Sequence, residues 1–88
     1  MNAARVELIT QILQEAFEPT TLQVIDQSHL HAGHAGAQDG RGHFKVNISS
    51  SAFNGKRPIA CHQAIYKALG DLMTTDIHAL SIKASGTE

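Results

Sequence analysis

Six histidines stand in a chain of 88 residues, and four of them, His29, His31, His34 and His43, fall within residues 28–46, SHLHAGHAGAQDGRGHFKV. Neutral imidazole is a common ligand for transition metals, so metal binding is the first chemistry this composition raises. The lone cysteine, Cys61, leaves no internal disulfide and no four-cysteine zinc or iron–sulfur site within one chain. A metal held here must draw on histidine, carboxylate or ligands from a partner. His31 and His34 lie three apart, flanked by Ala32, Gly33, Ala35 and Gly36, which impose no bulk. Histidine spacing alone is a weak signal, and solvated loop histidines are the bland alternative. No zinc pattern of two cysteines and two histidines is present.

The other reactive residue types point elsewhere. His62 sits beside the apolar face of a predicted helix, where capping or packing is the expected role, and Cys61 on that face reads as a small core residue. Neither a GxSxG elbow, a phosphate-binding P-loop nor a GxGxxG fingerprint occurs. Asp26, Asp39, Asp71 and Asp76 are dispersed, without the pairing that acid–base catalysis needs. No enzyme is expected.

The elements that must position the histidines follow from periodicity. Val6, Ile9, Leu13, Ala16 and Phe17 recur at helical spacing over residues 3–17, with Asn2 as an N-cap and Pro19 as the stop. Residues 21–26, TLQVID, read as a strand. Residues 29–42 carry four glycines and read as a flexible loop, long for a hairpin connection and so of the kind that is functional or disordered. HFKVNI, residues 43–48, alternates with Phe44, Val46 and Ile48 inward and His43, Lys45 and Asn47 outward. Residues 49–58 form a turn region with a short helical turn before Gly55. Pro58 opens a second helix with Cys61, Ile65, Ala68, Leu69 and Leu72 on its apolar face. Residues 74–76 break it, residues 77–84 form a third strand, and residues 85–88 read as a frayed tail.

The order is helix, strand, strand, helix, strand: an α+β domain with a three-stranded mixed sheet. Strands one and two pair as an antiparallel hairpin, and strands two and three as a right-handed parallel crossover. In that topology the first strand ends where the second and third begin. The histidine loop and His78 therefore meet at one end of the molecule. His78 shares strand parity with Leu80, Ile82 and Ala84 on the predicted core side, so a half-buried ring near the sheet's end is expected. Its two readings are a hydrogen-bonded core histidine and a metal ligand.

Length, composition and charge set the outer bounds. Eighty-eight residues make one domain, and 42% apolar with 17% charged residues fits a compact soluble protein. No apolar run approaches the roughly 20 residues that span a bilayer, and the N-terminus lacks secretory features. A cytoplasmic protein without membrane association is the expectation. A formal charge of −1 argues mildly against a role on nucleic-acid phosphates.

Four segments, IDQSHLHAGH, HFKVNISSSAFNGK, CHQAIYKAL and IHALSIKA, together resemble BolA-like proteins in order and spacing over nearly the whole chain. One small departure is Cys61–His62, where the family reads arginine–histidine. The resemblance implies a fold like the type II KH domain, in agreement with the order above. It also implies partnership with a monothiol glutaredoxin, in a heterodimer that shares a [2Fe–2S] cluster. The glutaredoxin's cysteine and a glutathione thiol ligate one side. The position matching His78 and a second ligand from the loop after the first strand complete the other. Counting forward from Ser28 selects His31 for that ligand, and counting back from His43 selects His34. Histidine on one iron would shift the redox potential and leave the cluster pH-sensitive and easier to pass on. By this reading the isolated chain carries no cofactor and is a monomer or weak homodimer.

The family also carries a competing expectation, nucleic-acid binding and transcriptional regulation. Lys56 and Arg57, with Lys67, are the basic residues that would serve it. Against it, the backbone-clamping GxxG loop of KH domains is missing, because Gly55 is followed by Lys-Arg-Pro. A third reading is an adaptor that binds glutaredoxin without metal through the same end of the fold.

Overall fold

A computed structural model describes residues 2–28 and 42–87. The chain runs α1 (Asn2–Phe17), β1 (Thr21–Asp26), β2 (Gly42–Ser49), a 3-10 turn (Ser51–Phe53), α2 (Pro58–Leu69), α3 (Leu72–Thr75) and β3 (Ile77–Ser85). The predicted helix–strand–strand–helix–strand order holds. One short element is added: the second helix ends at Leu69, before the break expected at residues 74–76, and Leu72, expected on its apolar face, opens the single turn α3. Gly70 separates the two helices at φ 54° and donates its N–H to the Tyr66 carbonyl, a backbone state that costs a β-carbon-free residue little.

The sheet has the order β1-β2-β3. β1 and β2 are antiparallel, pairing Val24 with Val46 and Asp26 with Phe44. β2 and β3 are parallel, pairing Val46 with Ile82 and Ile48 with Ala84. The alternation read in HFKVNI explains the layering: Phe44, Val46 and Ile48 are buried. They meet Ile9 and Leu13 of α1, Cys61, Ile65 and Leu69 of α2, Phe53, and Ile77 of β3. Ala16, expected on the α1 stripe, is exposed, and Ile12 packs against the core instead.

Two joints tie the layers. Ser50 is fully buried; its Oγ donates to the Phe17 carbonyl at 2.6 Å and accepts from the Ala52 N–H at 3.1 Å. The Phe17 and Phe53 rings meet, tilted by 44°, at a centroid distance of 4.9 Å. The expected frayed tail is held as well. Ser85 lies in β3 with its Oγ 2.9 Å from that of Ser49, and the Thr87 N–H donates to Asn54 Oδ1 at 2.7 Å. The signal for this was Asn54, whose side chain reaches across 33 residues and is invisible to local patterning.

Candidate functional site

The site lies at the end of the sheet where β1 stops and β2 and β3 start. Backbone and side-chain hydrogen bonds fix this end closely. The Gln27 N–H donates to the His43 carbonyl at 2.8 Å, and the Gly42 N–H to the Asp76 carbonyl at 2.9 Å. Asp26 Oδ1 accepts from the Ser28 N–H at 2.9 Å, a turn closed by an aspartate on its own backbone two residues on. Ser28 Oγ in turn accepts from the His43 N–H at 3.0 Å. Arg5 Nε lies 3.5 Å from Asp76 Oδ1, so the start of α1 is tied to the turn that launches β3.

Gly42 is glycine for a steric reason. A β-carbon there would lie 2.5 Å from the Phe44 ring, which is fully buried. Close approach of backbone and ring at this point therefore excludes any side chain.

The register changes at the same place. Gly42 pairs with Ile77, but His43 pairs with Ala79, so His78 is the extra residue of a β-bulge in β3. A bulge re-aims side chains next to it. Ile77 takes the core position and is fully buried, Leu80 resumes the core phase, and His78 is exposed. The expected half-buried, core-side His78 is thus corrected. Strand parity counted back from Ile82 places it inward, and the inserted residue reverses that.

His43 reverses in the other sense. Its phase is outward, as read from the alternation, yet it is only 6% exposed. Its ring faces that of His78 at a centroid distance of 5.0 Å, tilted by 52°. That falls in the range of favourable aromatic pairs. An exposed imidazole thus rests on a buried one across the β2–β3 pair. Sequence alternation could not find this, because the ring contact depends on a one-residue insertion in a strand 35 residues on.

The remaining predicted residues are placed as follows. His31 and His34 lie outside the described residues, as does His29. Among the described residues, no three histidine, cysteine or carboxylate side chains converge as a metal cage. The described part of the site is one exposed imidazole and its support. His62 is half-buried on α2, and Cys61 is buried in the core, as its place on the apolar face predicts.

Lys56, Arg57 and Lys67 are all exposed. Lys56 precedes α2, Arg57 holds its N-cap position without a side-chain cap hydrogen bond, and Lys67 is in its last turn. Ten residues of helix at 1.5 Å each separate Arg57 from Lys67 by roughly 15 Å, so they do not form one compact patch. A second basic feature was not anticipated. Lys45 and Lys83 line a cavity of about 260 Å³ on the helix-free face of the sheet, with Thr21, Asn47, Ser49 and Ser85.

Comparison with known proteins gives one family. Its model, described as BolA-like protein, matches residues 13–88. The DNA-binding transcriptional regulator BolA of Escherichia coli is 38% identical over 76 residues, covering 86% of this chain and 70% of that protein. The SufE-like protein 1, chloroplastic/mitochondrial, of Arabidopsis thaliana is 41% identical over 81 residues, but the match spans only 22% of its length. The solved BolA domain of SufE1 from Arabidopsis thaliana superposes with a TM-score of 0.85 at 40% identity, covering 94% of this chain and 92% of that one.

Proposed function

Because the chain belongs to the BolA-like family, we propose that it is a non-enzymatic iron–sulfur adaptor, pairing with a monothiol glutaredoxin and sharing a [2Fe–2S] cluster with it. His78 supplies one ligand to the iron on this chain's side, and His31 or His34 the other. The glutaredoxin cysteine and glutathione hold the opposite iron. The observation that carries the reading is the exposed His78 imidazole, set by a bulge at the sheet end from which the histidine-rich segment departs. Neutral imidazole suits a borderline iron centre, and a support beneath it suits a ligand offered to a partner.

The chain's own residues perform three tasks in this scheme. The bulge presents His78, the Arg5–Asp76 pair and the Gly42–Asp76 hydrogen bond hold the strand ends, and His43 backs the ring. The cluster, as cargo, supplies the electron-transfer and sulfide-transfer chemistry. Mixing the chain with cluster-loaded glutaredoxin and glutathione should give a heterodimer whose visible circular dichroism differs from that of glutaredoxin alone. His78→Ala should remove the new signal. A signal that survives in H78A rejects the ligand assignment.

The second reading, transcriptional regulation through DNA, is favoured by the name of the Escherichia coli relative and by the exposure of Lys56 and Arg57. It predicts a salt-dependent mobility shift with duplex DNA that weakens when both residues are neutralised.

A further inference from the structure

We infer that His43 is a positioning residue for His78: the buried ring holds the exposed one in a single orientation, so that the ligand is preorganised before any partner arrives. The inference rests on the adaptor reading for its consequence and on the geometry of the sheet end for its cause.

Three observations carry it. His43 is fixed at both backbone groups, its N–H donating to Ser28 Oγ and its carbonyl accepting from the Gln27 N–H. Its side chain is buried at 6% exposure although its strand phase points away from the core. An outward-phased histidine becomes buried only when something covers it, and the His78 ring at 5.0 Å is one such cover. Finally, the bulge places His78 and Ala79 successively opposite the Gly42–His43 step. Ala79, the register partner of His43, is small and leaves the space above His43 to the larger neighbour.

The physical effect is entropic. An exposed histidine on an edge strand samples several side-chain rotamers, and ordering one on binding carries an entropic cost. A ring already held against a fixed surface has met that cost during folding. The ligand then enters the iron's coordination sphere without reorganising, the role that groups behind a metal ligand usually serve. His43 is not itself the accessible donor, because its ring nitrogens are buried while His78 stands open.

The test compares His43→Ala, which removes the supporting ring, with His43→Phe, which keeps an aromatic surface but no ligand nitrogen. In the isolated chain, NMR couplings and ring-current shifts of His78 report its rotamer without any metal or partner. In the glutaredoxin complex, visible circular dichroism and the nitrogen couplings of the reduced cluster report ligation. Wild type and H43F should show one His78 rotamer and the same cluster signature. H43A should show averaged couplings, loss of the ring-current shift, and a weakened or heterogeneous cluster signal. An unchanged His78 rotamer in H43A overturns the inference. So does an H43F chain that keeps the rotamer but loses the cluster signature, since His43 would then be a ligand. If wild type never acquires the cluster while H43A still frees the His78 ring, the positioning is upheld and the adaptor reading falls.

Discussion

Ser50 shows how little redundancy a domain of this size has. Its hydroxyl is fully buried and used twice, as donor to the Phe17 carbonyl and acceptor from the Ala52 N–H. Ser50→Ala removes both hydrogen bonds, each worth about 0.5–1.5 kcal/mol, so a loss of about 1–3 kcal/mol is expected. The expected result is a lower urea midpoint with an unchanged slope. Ile65, fully buried on α2 between the sheet and α1, is a simpler case. Ile65→Ala removes three carbons from a close-packed core and should cost about 2–5 kcal/mol. Neither change touches the sheet end, so each variant that folds should still give the cluster signature expected of wild type.

Among the elements, the strand ends are where sequence reading succeeds and fails most clearly. β1 is legible to the residue as 21–26, and the parallel pairing of β2 with β3 follows from the helix between them. The convergence of β1, β2 and β3 ends, and therefore the site's location, needed only that topology. The orientation of His78 was not legible, because a bulge inserts one residue without any composition cue and inverts the phase of the residue counted back across it. The burial of His43 is a consequence of the same insertion. The loop ligands fall on residues 29–41, outside those described, and the choice between His31 and His34 stays with the sequence. Gly42→Ala tests the element directly: a β-carbon 2.5 Å from a buried Phe44 ring must displace ring or strand. A loss of about 1–3 kcal/mol is expected, with a shifted His78 resonance as the marker that the bulge has moved. The end of α1 offers a change of opposite sign. Glu18 holds φ 44° and its N–H bonds the Gln14 carbonyl, a helix-terminating geometry that glycine adopts without strain. Glu18→Gly should raise stability by about 0.5–1 kcal/mol, read by thermal melting.

For the molecule as a whole, the central strand governs. β2 is hydrogen-bonded on both sides and supplies Phe44, Val46 and Ile48 to the core, whereas β1 and β3 are paired on one side each. Amide hydrogen exchange should be slowest at Val46 and Ile48, buried residues of the strand that is paired on both sides. Exchange faster there than in β1 would contradict the topology. The bulge has a consequence for how such a protein can change over generations. Because Ile77 fills the core slot and His78 lies outside the core against the His43 ring, the ligand position is excused from the packing constraints of the core itself. Replacing it removes the ring pair with His43 but no core atom, so the cost should stay at about 0.5–1.5 kcal/mol. Mutation can therefore trial cysteine, aspartate or an inert residue at 78 without first acquiring a compensating core change, which uncouples innovation at the site from survival of the fold.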